Sequence, residues 1–150
     1  VGNIPYSITG LILRKIFNIK NHPQLLILTL QKDVGEKILA KNNFLSHWIN
    51  IWGKFNKICT IKRNFFYPQP KVDSIILEIK FFNRPLVDYP EKFAKFLKNI
   101  FKFPNKKLKN NINLPEDFKY LANYRPHQLS FNDILNLYNF YLQRSYNIKT

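Results

Sequence analysis

The tetrapeptide Asn3-Ile4-Pro5-Tyr6 sets an amide, a rigid imino acid and a phenol ring within one short stretch. An amide side chain offers one acceptor and two donors. At the carboxyl end of a strand, where open α/β sheets bind their ligands, the Asn3 oxygen can accept one hydrogen of an exocyclic amine such as that of adenine. A nearby backbone carbonyl can accept the other. Two acceptors favour a more tetrahedral nitrogen whose lone pair is withdrawn from the ring, so the amine becomes nucleophilic without a strong base. Pro5 stiffens the loop and holds that geometry in advance. Tyr6 offers a flat face, and stacking of this kind is worth roughly 1–3 kcal/mol per base. A plain turn after a strand uses the same residue types, so the tetrapeptide does not decide the matter alone.

Several elements must position this loop. Val1-Gly2-Asn3 reads as the tail of a strand, and a further upstream part of the protein is expected. Ser7 or Thr9 can cap a helix through Leu11, Ile12, Lys15, Ile16 and Phe17. Gln24 to Gln31 is a run of large aliphatics without polar alternation, the pattern of a strand buried on both faces. Asp33 suits the N-cap of a helix through Val34, Ile38 and Leu39. Phe44 to Trp52 has helical periodicity. Phe55 to Arg63 and Ser74 to Phe82 read as strands, the second alternating Ile75, Leu77, Ile79 and Phe81 with other residues.

Beyond Asn83-Arg84-Pro85 the rhythm is helical: Tyr89 to Phe103, Lys106 to Ile112, Glu116 to Ala122, and Phe131 to Tyr141 after a cap at Ser130. The stripe Leu135, Tyr138, Tyr141, Leu142 reads as core packing of the last helix. The expected class is α/β, with an open sheet ending in an antiparallel pair over residues 1–84 and a small all-α domain over 85–150.

Composition narrows the partner. The 150 residues are 45% hydrophobic and carry a formal net charge of +15, which permits a packed core and points to a polyanion, nucleic acid ahead of a membrane surface. Basic residues outnumber acidic ones 13 to 4 before residue 85 and 11 to 5 after it, so the partner surface spans both parts. No apolar run is long enough to cross a bilayer. The lone cysteine, Cys59, in an apolar run, reads as a buried strand residue and excludes a disulfide within the chain. His22, His47 and His127 lack ligand-like spacing and read as loop or surface histidines, so no metal site is expected. A monomeric, cytoplasmic protein fits these features.

The order of motifs adds a resemblance. Val1-Gly2-Asn3-Ile4-Pro5-Tyr6-Ser7-Ile8-Thr9, then Gln31-Lys32-Asp33-Val34, then Phe66-Tyr67-Pro68-Gln69-Pro70-Lys71-Val72-Asp73-Ser74 resemble the ribosomal RNA adenine dimethyltransferase family. Lys106-Lys107-Leu108-Lys109-Asn110-Asn111 and Arg125-Pro126-His127-Gln128-Leu129-Ser130 resemble its small-subunit (16S) branch rather than the related antibiotic-resistance enzymes. The resemblance implies the second half of a Rossmann-like methyltransferase sheet followed by a small all-α C-terminal domain that binds RNA.

It further implies S-adenosylmethionine as methyl donor and N6,N6-dimethylation of two adjacent adenines in small-subunit rRNA during ribosome biogenesis. Asn3, Pro5, Tyr6 and Phe66 are implied as catalytic. Asn3 binds the amine and approaches the donor, Tyr6 stacks on the extruded base, and Phe66 closes over its other face. Lys71, Lys106, Lys107, Lys109 and Arg125 are implied as RNA contacts, the precursor of the small ribosomal subunit being the partner. The family's glycine-rich donor loop and two acidic donor contacts are not found in these residues, so the chain is expected to be inactive by itself. Lysines replace arginines of the family's basic cluster, which loses the bidentate fork on phosphate. Two alternatives stay open: a non-catalytic RNA-binding or ribosome-assembly factor, and a large-subunit (23S) adenine methyltransferase.

Overall fold

Ile75, Leu77 and Ile79 alternate with half-exposed or exposed residues, and that period of two makes Ser74–Phe81 a strand with one buried face. The computed structural model describes residues 2–3, 9–17, 19 and 22–147, with the backbone alone for residues 2–3, 9–11, 14 and 145–147. Its elements are β1 (Gly2–Asn3), α1 (Thr9–Phe17), β2 (Leu25–Gln31), α2 (Lys32–Leu39), α3 (Phe44–Asn50), β3 (Gly53–Ile61), β4 (Ser74–Phe81), α4 (Pro90–Ile100) and α5 (Phe131–Asn147). Contacts divide the chain into residues 1–40 with 49–88, and 41–48 with 89–150. The sequence reading placed the division at 84/85 and kept 41–48 with the first part.

In the first unit the sheet order is β1-β2-β4-β3. β1 and β2 are parallel, whereas β4 runs antiparallel to both β2 and β3. This is the expected α/β sheet ending in an antiparallel pair. Leu28 faces Leu77 and Leu30 faces Ile75 across the β2–β4 ladder, all four buried. A Cβ on the buried Gly35 of α2 would strike the Ile75 side chain, so the glycine lets this helix lie close on the sheet. Phe17 of α1 is fully buried among Trp52, Phe55 and Phe81, with ring centroids 5.9–6.3 Å away.

Several local expectations change. β2 is buried at Leu28 and Leu30 only, and its other positions are half-buried or exposed. The run of aliphatics therefore marks a strand with one well-covered face. α2 starts one residue before Asp33, Gln31 occupies the N-cap, and Asp33 lies in the first turn, where its charge still suits the helix dipole. α3 stops at Asn50, because β3 begins at Gly53 and Phe82 N–H donates to the Trp52 carbonyl at 2.8 Å.

Cys59 is exposed. Lys57 pairs with Leu77 but Cys59 pairs with Ile76, so a bulge at Ile58 shifts the register by one. That shift turns Cys59 to the half-exposed face instead of the buried one.

The second unit buries Phe93, Leu97 and Ile100 from α4 against its own core of Leu108, Leu121, Ile134, Leu137 and Tyr138. The spacing i, i+4, i+7 gives α4 its apolar stripe, and Pro90 opens it at a position where no amide is needed. Tyr138 meets Phe93 edge to face at 5.1 Å, and its hydroxyl donates to the Tyr89 carbonyl at 3.1 Å. Ser130 caps α5: its Oγ accepts the Asp133 N–H at 3.1 Å while Asp133 Oδ2 accepts the Ser130 N–H at 3.0 Å. Tyr138 is buried as the stripe reading expects, and Leu135, Tyr141 and Leu142 are half-buried.

The segments read as helices over 106–112 and 116–122 are 3-10 turns, Leu108–Asn110 and Glu116–Leu121. Each is too short, between prolines and asparagines, to repay the cost of nucleating an α-helix.

Candidate active site

The sheet topology gathers three of the sequence motifs at one edge. β1 and β2 both end there, and Asn3 lies opposite Thr29, two residues before the end of β2. β3 ends and β4 begins at the same edge, since Gln31 pairs with Ser74 and Ser74 with Ile61. The loop 62–73, which carries Phe66 and Lys71, therefore leaves and re-enters the sheet on Asn3's side. At ordinary strand spacing, Asn3 lies roughly 10–15 Å along the edge from the strands that bear this loop. Pro5 and Tyr6 fall outside the described residues, and Asn3 is placed by its backbone.

The loop is braced by Asp73. One carboxylate oxygen accepts the Arg63 backbone N–H at 3.0 Å, the other accepts from Lys62 Nζ at 3.3 Å, and the Asp73 carbonyl accepts the Lys32 N–H at 3.0 Å. The last bond ties the Gln31-Lys32-Asp33 motif to the loop. Arg63 Nη1 adds a bond to the Lys71 carbonyl at 3.2 Å. The backbone hydrogen bond from Arg63, and after it the bond and charge of Lys62, hold the Asp73 carboxyl below its ordinary value.

Phe66 follows the turn Arg63–Phe65 and is half-buried. Its neighbours Phe65 and Tyr67 are 78% and 102% exposed, so neither ring serves the core of this unit. Sequence reasoning singled out neither Asp73's bracing role nor these two rings. The acidic residue closing an otherwise basic motif was the available signal.

The remaining basic candidates lie in the second unit. Leu108 N–H donates to the Tyr124 carbonyl at 2.7 Å and Lys109 N–H to the Ala122 carbonyl at 3.3 Å. These bonds lay the segment 106–109 beside 122–124, and Lys106, Lys107, Lys109 and Arg125 on or next to these segments are all exposed. Lys107 Nζ donates to Asn123 Oδ1 at 3.2 Å across that seam, and Arg125 N–H donates to Gln128 Oε1 at 2.8 Å. Lys71 belongs to the first unit and is exposed in its loop.

The histidines divide three ways. His127 is exposed, in line with the sequence reading. His22 is half-buried and stacks on Phe81 at 4.8 Å. His47 is fully buried between Phe101 and Phe131, and neither ring nitrogen has a hydrogen-bond partner in the protein. It is a core residue, where a loop or surface histidine was expected, because the helical periodicity of 44–50 turns it inward. Burial lowers its pKa to about 4. Among the described residues no group of His, Cys, Asp and Glu side chains could hold a metal ion, and no helix is long and apolar enough to cross a membrane.

Comparisons with known proteins agree with one another. The family model "Ribosomal RNA adenine dimethylase" matches residues 1–141. The ribosomal RNA small subunit methyltransferase A of Thermotoga neapolitana is 35% identical over 151 residues, covering 93% of this chain and 55% of that protein. The protein of the same name from Aster yellows witches'-broom phytoplasma is 41% identical over 117 residues, covering 75% of this chain and 43% of the other. The chain thus spans about half the length of the curated relatives it matches.

Among solved structures, a dimethyladenosine transferase from Plasmodium falciparum superposes with a TM-score of 0.78 at 23% identity, covering 90% of this chain and 63% of that one. A 23S rRNA methyltransferase does so with 0.74 at 17% identity, covering 92% and 62%. At those identities the structural likeness speaks for the fold, a Rossmann-like α/β sheet with appended helices.

Proposed function

The chain belongs to the ribosomal RNA adenine dimethylase family, and on that footing we propose that it carries the acceptor side of a methyltransferase acting on N6 of two adjacent adenines in small-subunit rRNA. The observation that supports this reading is the meeting of Asn3, the Gln31-Lys32-Asp33 motif and the Phe66 loop at one sheet edge. The names of the sequence relatives favour the small-subunit substrate over the large-subunit one.

In this reading the target base is extruded from its stack, at a cost of a few kcal/mol, and received between Tyr6 and Phe66. The Asn3 side-chain oxygen and a backbone carbonyl of the loop accept the two amine hydrogens, which frees the nitrogen lone pair for attack. S-adenosylmethionine, the second substrate, supplies an electrophilic methyl group. A carbon–nitrogen bond would form as the donor's carbon–sulfur bond breaks, with the thioether S-adenosylhomocysteine leaving and the surplus amine proton passing to solvent. A second round on the same nitrogen gives the dimethylated product. No residue of this chain is assigned to the donor's glycine-rich cradle, so the 150 residues by themselves are inactive in this reading. Lys71, Lys106, Lys107, Lys109 and Arg125 contact RNA phosphates in the precursor subunit, so affinity falls steeply with salt.

The test is methyl transfer by the complete natural protein to unmethylated small- and large-subunit RNA, mapped by primer extension. Stops at adjacent adenines of the small-subunit RNA are expected. In the Asn3→Ala variant, transfer should fall by about a hundredfold or more with little change in RNA affinity. Stops on large-subunit RNA alone would assign the protein to the resistance branch. RNA binding without any transfer would make it a non-catalytic assembly factor, and unchanged turnover in Asn3→Ala would remove the role given to Asn3.

A further inference from the structure

Phe103, in the turn after α4, is 41% exposed and lies within cation–π reach of two ammonium groups, Lys106 Nζ at 4.9 Å and Lys102 Nζ at 5.4 Å from its ring centre. The backbone beneath it is fixed. Its carbonyl accepts from Lys106 N–H at 3.0 Å and from Asn111 Nδ2 at 3.1 Å, and Asn111 also donates to the Ile100 carbonyl at 2.9 Å. Tyr124, 46% exposed, lies on the adjoining segment, where its carbonyl accepts the Leu108 N–H two residues from Lys106.

A single phenylalanine screened by lysine stems needs no ligand. Three features set this one apart. A second exposed aromatic, Tyr124, stands on the segment whose backbone is hydrogen-bonded to the lysine segment. Among the described residues, Lys102, Lys106, Lys107, Lys109 and Arg125 form no ion pair with any carboxylate, whereas Lys32, Lys62, Lys80 and Lys119 each do. The supporting turn is held by hydrogen bonds that do not involve the ring.

We propose that Phe103, with Lys102 and Lys106 beside it and Tyr124 on the adjoining segment, forms a seat for unpaired bases of RNA. A base stacks on an aromatic face while the ammonium groups meet its flanking phosphates. A blunt duplex hides its base faces and can satisfy only the lysines, so the seat selects loops or single strands over helical stems. This inference rests on RNA being the partner, as proposed above, and adds which RNA form the helical unit takes.

The experiment titrates the complete natural protein with a fluorescent RNA hairpin carrying an unpaired purine loop, and with a blunt duplex of the same stem. Phe103→Ala is expected to weaken binding of the hairpin by about tenfold, to leave the duplex unchanged, and to keep the slope of log affinity against log salt. Phe103→Trp should restore hairpin binding, which excludes a folding defect as the cause. Lys106→Gln should lower affinity for both RNAs and reduce that slope by about one. Equal binding of hairpin and duplex by wild-type protein, with Phe103→Ala indistinguishable from it, would overturn the seat and leave the RNA reading intact. Equal losses on both RNAs in Phe103→Ala would likewise overturn it. Wild-type protein that binds neither RNA would overturn the RNA reading itself.

Discussion

Asp73 accepts the backbone N–H of Arg63 at 3.0 Å, a bond across ten positions that closes the loop bearing Phe66 at its base. The carbonyl of the same residue is tied to the start of α2. One aspartate therefore fixes two of the segments that converge on the edge where Asn3 lies.

Removing that carboxylate should misplace Phe66 without unfolding the sheet. Asp73→Ala in the complete protein is expected to lower methyl transfer by about tenfold, with a melting temperature close to that of wild type. Asp73→Asn keeps an acceptor for the Arg63 N–H and should recover most of the loss. The folded pKa of Asp73 lies below its unfolded value, so its contribution is present above the ordinary carboxylate range and is lost as pH falls through the folded value. Wild-type activity in Asp73→Ala would dismiss the brace.

Burial of His47 is expected to make the protein acid-labile. The residue's folded pKa of about 4 lies below the ordinary histidine value of 6.5. Between these values the unfolded chain binds the proton and the folded chain does not, so stability falls as pH drops through that window. The depression is worth roughly 3 kcal/mol at the acid end. His47→Phe keeps an aromatic ring between Phe101 and Phe131 and removes two nitrogens that have no partner. It should flatten the pH dependence of the melting temperature between pH 4 and 6.5 and raise stability above it. A variant with the same acid sensitivity as wild type would show that another group controls it.

Gly53 begins β3 where a Cβ would be driven into the Lys80 carbonyl oxygen and the neighbouring backbone of β4. Backbone cannot move aside as a flexible side chain can. Gly53→Ala is expected to cost about 1–3 kcal/mol, read as a shift in the urea midpoint. An alanine variant as stable as wild type would show that the strands part at that end without penalty.

Much of this architecture was legible in the residues because it rests on local pattern. The alternation of Ile75, Leu77 and Ile79 defines the buried face of β4, and the Ser130–Asp133 pair announces the start of α5. Gly53 could not be read as a strand start, since what forbids a side chain there is the carbonyl of Lys80, far along the chain. The loop chemistry of Asn3-Ile4-Pro5-Tyr6 was likewise readable from residue types, but the company it keeps was not.

By itself the sequence determined the order of motifs, the strand periodicity and the excess of positive charge, all of which are properties of near neighbours or of simple counts. The tertiary structure alone decided that Cys59 faces outward, because a one-residue bulge reverses the alternation beyond Ile58. It also decided that His47 is buried, that Lys106 lies over the Phe103 ring, and that the backbone of 122–124 pairs with the lysine segment. Those outcomes depend on hydrogen bonds and packing between residues distant in the chain, which local periodicity does not encode.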